Sequence, residues 1–423
     1  MKTVFLISGL FLILNVAEAQ QYELLPDDFG TNAVVHVKKL CEYGVRSAGS
    51  VAEQKTITYL TENLNKNGLN VVLDTISYMM YKLDKRSFYF NNKMISLKTA
   101  YIEDYLKDTI EFGAYCIKRN GFPNKEEIRD KVIITTVSRN SVLLTEFKPK
   151  AVLVIDTNVY DTLQINENIK YNFKFIGSIQ SWLIKSYNVI ATYNYKFPVD
   201  SNIIINAHWD SEPGVGAGDN ASGTAALIEL SKFYKNLLPS FKYNLVFLFT
   251  GSEEHDIIGS SSYILNHHFE LNKCKLEITV DDISYLKPYI ETTNYGTNNS
   301  YSDTLQTLSA IEYKGSKSFL LSSFREIYGN RKNDLEKVKW VRGNFLRSMN
   351  EIRVNYQDGG CCSGTDANSF QYIGIPFISF TSTDPADKVD NANTIKDVYN
   401  DSFKQAIQLN MKIVNKVIRN FNK

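Results

Sequence analysis

The sequence predicts an α/β fold with a mixed, mostly parallel central sheet, helices on both of its faces, and an inserted strand-rich lobe. Three observations carry this. Short, nearly continuous apolar runs at Asn202 to Ala207, Tyr243 to Thr250, Leu276 to Val280 and Ile375 to Phe380 read as buried strands. An amphipathic helix, Gly223 to Leu238, separates the first two, with Leu227, Leu230, Tyr234 and Leu237 on one stripe. Strands alternating with helices give a largely parallel sheet that must be covered on both faces. The stretch from about 81 to 180 breaks this rhythm with irregular, strand-rich sequence.

Taken in order, the chain opens with Met1-Lys2-Thr3, an apolar run from Val4 to Val16, and small residues at Ala17 and Ala19. This pattern predicts a signal peptide over 1–19, cleaved after Ala19, and hence a secreted or periplasmic protein with no membrane span once the signal is removed. The apolar run is shorter than the ~20 residues needed to cross a bilayer. Asn32 to Cys41 and Ala52 to Leu64 follow with apolar residues at helical intervals, and Arg46 to Ser50 forms the loop between them. Gly68 ends the second helix, and Leu69 to Leu73 reads as a strand. Runs such as Val132-Ile133-Ile134 and Ala151 to Ile155 supply strands to the inserted lobe. Tyr295 to Gly360 is polar, rich in Asn and Lys, and reads as a second insertion. The expected domains are therefore 20–80 with 181–423 as one catalytic unit, and 81–180 as the lobe.

The 423 residues carry 47 Lys+Arg against 46 Asp+Glu, a net charge of +1. That balance argues against nucleic-acid partners or a polybasic membrane contact, both of which need a positive excess. A hydrophobic content of 43% is enough for a sizeable core and excludes a disordered chain. Five cysteines (Cys41, Cys116, Cys274, Cys361 and Cys362) are too few for a disulfide scaffold. The expectation is ordinary stabilising pairs with one free thiol; a vicinal bridge at Cys361-Cys362 is the alternative.

In open parallel sheets, sites form beyond the carboxyl ends of the strands. His208 and Asp210 follow the first of the buried strands, Glu253 and Glu254 the second, and Asp281 the third. Asp219 lies in Gly218-Asp219-Asn220-Ala221-Ser222-Gly223, between the first strand and its helix. Taken singly, each has a bland reading: a turn with a helix cap, a solvated acidic pair, a structural histidine. Together they place five carboxylates and one imidazole at one sheet edge, where mutual repulsion calls for a cation. His plus carboxylate ligation suits zinc best, with manganese or cobalt possible.

These blocks carry a resemblance. Ala207-His208-Trp209-Asp210, Ala217 to Gly223, Ser252-Glu253-Glu254 with Ile258-Gly259-Ser260, and Asp281 resemble the signature blocks of the zinc aminopeptidase family. That family includes aminopeptidase Y and, more distantly, glutamate carboxypeptidase. Arg46 to Ser50, Asn188 to Ala191, and Thr365-Asp366 with Phe370 resemble its other blocks, and 81–180 weakly resembles the protease-associated lobe of some members. The resemblance implies two zinc ions. His208, Asp219 and Asp281 would bind the first, and Asp219 would bridge to a second held by Glu254. Asp210 would fix the His208 ring. Glu253 would be the general base that takes a proton from a metal-activated water and passes it to the leaving amine. The chain also departs from the family. Where the family has its last histidine ligand the sequence reads Thr383-Asp384-Pro385, and Ala367 stands where a histidine usually follows the aspartate. No histidine lies beyond His268. Asp384 is a candidate oxygen ligand in place of the missing ring.

The reading is thus a secreted zinc-dependent exopeptidase, an aminopeptidase by family resemblance, acting on peptide substrates. A non-catalytic or weakly active binding protein on the same fold is the alternative, because the last ligand histidine is absent. A glutaminyl cyclase-like acyltransferase ranks third.

Overall fold

A computed structural model describes residues 24–90, 93–95, 97–102, 110–116, 132–135, 151–162, 170–194, 201–235, 237, 241–255, 257–267, 271, 273–292, 357–359, 365–372, 375–383 and 392–421. The expected signal peptide, Cys361, Cys362, Asp384 and nearly all of the second insertion lie outside the described residues.

Helices α1 (Phe29–Glu42) and α2 (Val51–Lys66) match the two sequence-predicted helices with slightly wider ends. The start of α2 is chemically specified. Ser50 Oγ accepts the Glu53 N–H at 3.1 Å, and the Glu53 carboxylate returns to accept the Gly49 N–H, a reciprocal capping arrangement. Gly49 has φ +77°, a conformation that favours glycine. The other oxygen of Glu53 accepts the Ser186 hydroxyl at 2.6 Å, which fastens the loop carrying Arg46 to the sheet.

Strand β1 (Leu69–Phe90) runs far beyond the predicted Leu73, because β7 (Lys170–Tyr193) pairs with it antiparallel along nearly its whole length. Between them come β2 (Lys93–Ile95), β3 (Leu97–Ile102), β4 (Ile110–Cys116), β5 (Val132–Thr135), β6 (Ala151–Ile155) and the short α3 (Thr157–Thr162). Both long strands pass through positions 81 and 180 unbroken.

The remaining strands build the predicted centre. They are β8 (Asn202–His208), β9 (Asn244–Thr250), β10 (Cys274–Val280), β11 (Lys287–Thr292), β12 (Gln357–Gly359) and β13 (Phe377–Thr383). The sheet order is β12-β11-β13-β10-β8-β9-β7-β4-β5-β6-β3. Strands β9, β8, β10 and β13 are mutually parallel, whereas β11 and β7 flank them antiparallel, so the sheet is mixed.

Helix α4 (Gly223–Tyr234) stops short of the predicted Leu238, and α5 (Ile258–Asn266), α6 (Ala367–Tyr372) and α7 (Phe403–Phe421) complete the helices among the described residues. The alternation of each strand divides the core. Ile203, Ile205, Ala207, Phe247, Phe249, Ile278, Val280 and Phe380 face α1, α4 and α7. On the opposite face Ile204, Val246 and Leu248 pack against Tyr263 and Ile264 of α5 and Phe370 of α6. Helix α7 is absent from the sequence expectations, although Phe403, Ile407, Met411, Val414, Ile418 and Phe421 recur at helical intervals and are all buried. No described helix is long and apolar enough to cross a membrane.

One expectation is corrected. Cys41 and Cys274 are both free, so the cysteines cannot form two pairs with a single free thiol. Burial pushes the Cys274 thiol up to about 12 and the Cys41 thiol up to about 11, so both are inert at neutral pH.

Candidate metal centre

His208 is the last residue of β8 and is buried. Its Nε2 lies 3.0 Å from Asp219 Oδ1, 3.2 Å from Asp281 Oδ1 and 4.0 Å from Glu253 Oε2. Asp281 arrives there because β10 runs parallel to β8 as its neighbour. Asp219 sits in the turn Ala217–Ser222 that leads into α4, and its peptide to Asn220 is cis. That turn is tied to the sheet: Asn220 donates its amide to Val280 O at 2.9 Å, and its carbonyl oxygen accepts the Gly223 N–H at 2.8 Å. Glu254, His208 and Asp219 each offer a ligand atom, and the three atoms lie within 4.8 Å of one another.

The other side of the His208 ring faces Asp210, with Nδ1 3.4 Å from Oδ1. Asp210 does more than the sequence suggests. Its Oδ1 accepts the Glu253 N–H and its Oδ2 the Glu254 N–H, both at 3.2 Å. A single carboxylate thereby holds the turn that presents both glutamates and lies beside the imidazole. Ser252, just before them, takes a left-handed backbone (φ 58°), strained for a residue with a side chain. It is supported by the buried Tyr78, whose hydroxyl donates to Ser252 Oγ at 3.1 Å and lies 2.7 Å from His255 Nδ1. His255 Nε2 lies 3.1 Å from Glu212 Oε2, and the Glu212 N–H donates to Glu254 Oε1 at 3.4 Å.

The electrostatics are those of an acidic cluster removed from water. Burial, reinforced by Asp366, Asp281 and Asp219 and opposed by His208, raises Glu253 well above the usual carboxylate range. Burial and then Asp219 push Glu254 up to about 9. Asp219 is raised by burial, which outweighs its hydrogen bond to His208. Burial opposes protonation of His208, but Asp281, Glu253, Asp210 and Asp219 together raise its pKa well above the ordinary imidazole value.

The residues fit a zinc ion. Ligand atoms ~2.0 Å from a tetrahedral zinc sit roughly 3.3 Å apart, close to the 3.0 and 3.2 Å separations around His208 Nε2. A divalent cation would also offset the burial and mutual repulsion that raise Glu253, Glu254 and Asp219.

Two sequence departures are also placed. Thr383 closes β13, opposite Lys287 in register, and Ala367 opens α6, where it is buried. The roles of two residues escape the sequence reading. Asp366 is buried, accepts the Thr250 hydroxyl and raises the pKa of Glu253, and its presence in the Thr365-Asp366 block was the available signal. Asp397 accepts the N–H groups of Gly218 and Asp219 from a segment with no sequence signal at all.

Fold and site together define an α/β protein with a histidine–carboxylate cluster, able to hold a metal ion, at the carboxyl edge of its sheet. The chain belongs to peptidase family M28, whose family model matches residues 188–418. It is 32% identical over 154 residues to aminopeptidase Y of Saccharomyces cerevisiae, covering 35% of this chain and 28% of that protein. It is 24% identical over 139 residues to endoplasmic reticulum metallopeptidase 1 of Mus musculus, covering 31% of this chain and 16% of that protein. The chain thus spans less than a third of the length of either relative. Among solved structures, an aminopeptidase from Aneurinibacillus sp. strain AM-1 superimposes with a TM-score of 0.56 at 17% identity, covering 92% of this chain and 95% of that one. A glutaminyl cyclase of Bacteroides thetaiotaomicron gives 0.51 at 15% identity, covering 95% and 99%. At these identities the likeness is one of fold.

Proposed function

We propose that the chain is a secreted zinc-dependent exopeptidase, an aminopeptidase that removes residues from the N-termini of peptides. The observation that carries this reading is the approach of His208 Nε2 to Asp219 Oδ1 at 3.0 Å and to Asp281 Oδ1 at 3.2 Å in a chain of peptidase family M28. His208, Asp219 and Asp281 would hold one zinc, and Asp219 and Glu254 the second. Bound there, zinc supplies Lewis-acid polarisation of the scissile carbonyl and makes a water acidic enough to attack.

The chain's own residues do the rest. Glu253 stands 4.0 Å from His208 Nε2 with its side chain only 11% exposed, so its carboxyl readily holds a proton. It takes that proton from the attacking water and delivers it to the nitrogen of the leaving amine. Asp210 orients the His208 ring and the backbone of Glu253, so that base and ligand are set by one group. The lobe is read as 81–180, and residues 1–19 as the signal that sends the protein out of the cytoplasm.

Thr383 supports a second reading, a binding protein on the same fold. It ends β13 where the resembling family carries its last ligand histidine. Zinc content of the purified protein, measured beside hydrolysis of an aminoacyl p-nitroanilide, separates the readings. Bound zinc with turnover supports the peptidase; metal-free, inactive protein that resists zinc loading refutes it.

A further inference from the structure

The loop from Trp209 to Gly218 must deliver Asp219 to His208, and it lacks regular structure until its final turn. Two buried side chains from opposite ends of the chain hold it. Arg46 is fully buried. Its Nε donates to Trp209 O at 2.7 Å, its Nη1 to Val215 O, and its Nη2 to Gly216 O at 3.1 Å. Its backbone N–H reaches Ser211 Oγ at 3.2 Å. From the other side Asp397, also buried, accepts the Gly218 N–H on Oδ1 at 2.7 Å and the Asp219 N–H on Oδ2 at 2.8 Å. Its carbonyl accepts the Ala217 N–H at 3.3 Å.

The division is by polarity. The cation gathers backbone carbonyls, the anion gathers backbone N–H groups, and the loop is stretched between them. It is wound tightly enough that Gly216 (φ +53°) has no room for a side chain: a Cβ there would lie 2.1 Å from Asp219 O. Bonds from charged groups are shorter and stronger than neutral ones, which suits a task of holding geometry. The planar fork of arginine reaches three separate carbonyls, and a lysine ammonium cannot copy that spread. Burial works against the Arg46 charge, while Cys41, Asp210, Asp397 and Asp219 favour it.

We propose that Arg46 and Asp397 are positioning residues, a two-sided clamp that fixes the loop backbone and thereby sets the 3.0 Å approach of Asp219 to His208. The effect on zinc rests on the peptidase reading above; the effect on the loop does not. Misplacement of a reacting group by about 1 Å can cost roughly 10²-fold in rate, so such a clamp matters to catalysis without touching substrate.

The test uses the full chain, with Asp397→Asn and Arg46→Lys as the variants and Arg46→Met as a third. Hydrogen exchange of the 214–223 amides is followed in metal-free protein, zinc affinity by competition with a chromogenic chelator, and kcat and KM on an aminoacyl p-nitroanilide. In Asp397→Asn, exchange over 214–223 should rise roughly 10-fold or more while α1 and β8 keep wild-type rates. Zinc affinity should fall about 10–100-fold, and kcat should drop with KM little changed. Arg46→Lys, which keeps the charge but loses the fork, should behave in the same way. Unchanged exchange at 214–223 in Asp397→Asn overturns the clamp, as does full rescue by Arg46→Lys where Arg46→Met is impaired. A uniform rise in exchange across the whole chain also overturns it, since that is global destabilisation. If wild-type protein takes up no zinc, the peptidase reading falls, and the exchange data alone decide the clamp.

Discussion

Replacing Asp210 by asparagine keeps the shape of a buried side chain and removes its charge. In the wild type, two oxygens serve three groups: the N–H of Glu253, the N–H of Glu254 and, at 3.4 Å, His208 Nδ1. Asparagine has one acceptor oxygen, so its NH₂ must face one of these N–H donors, and one charge-assisted bond is lost. A hydrogen bond to a charged group is worth about 1.5–3 kcal/mol, and the orphaned buried N–H adds to the loss. We therefore expect Asp210→Asn to be destabilised by about 2–3 kcal/mol. On the proposed peptidase reading the loss to function should be larger than that to the fold, because the same carboxylate lies beside the proposed ligand ring and holds the turn bearing Glu253. Partners of metal-ligating histidines typically contribute 10–100-fold in affinity or activity. The assay is paired: thermal melting of metal-free protein for the fold, and chelator competition with steady-state hydrolysis for the site. If Asp210→Asn binds zinc and turns over like wild type, Asp210 does not organise this site and the assignment fails.

Three further outcomes are expected. Glu253→Gln should retain its zinc but lose at least ~10²-fold in kcat, since the proton carrier is gone and no ligand is; equal turnover in variant and wild type would rule out the general-base role. Metal-free protein should lose stability as pH rises from about 4.5 towards 9. The folded state holds a proton on Glu254 that the unfolded chain releases, so its stabilising effect is complete below the unfolded pKa and lost through the folded one. Zinc, which needs the ionised carboxylates, should reverse that slope; melts with and without EDTA at about pH 5 and about pH 8.5 read it directly. Thr383→His should tighten the second zinc, seen as slower loss of one equivalent during dialysis against a chelator. Asp384→Ala should weaken it only if Asp384 is the substitute ligand.

How much of this could be read from the chain depends on whether the signal is local. Strands β8, β9 and β10 are apolar runs bounded by polar residues, because a parallel strand covered on both faces has no solvent side to encode. Their carboxyl ends are then known, and with them the shared edge of His208, Asp210, Glu253, Glu254 and Asp281. Helices α1, α2 and α4 were legible from apolar spacing, as each buries one stripe. The length of β1 was not. Its continuation past Leu73 is stabilised by β7, about a hundred residues away in sequence, and such pairing leaves no periodic trace.

The chemistry of the site was therefore set by the sequence and its geometry by the tertiary structure. Residue types and their order put His208 and the carboxylates at one sheet edge and raised the expectation of a cation there. Only the folded chain decided that Asp210 holds two backbone N–H groups, that Asp366 acts on the charge of Glu253, and that Cys41 and Cys274 stay free. Only the fold brings Arg46 and Asp397 to opposite sides of one loop, though 350 positions separate them. The physical reason is common to all of these. A ligand can be recognised by its own side chain, but a residue that acts on another residue's backbone is defined by proximity. Proximity between distant segments exists only once the core has closed around them.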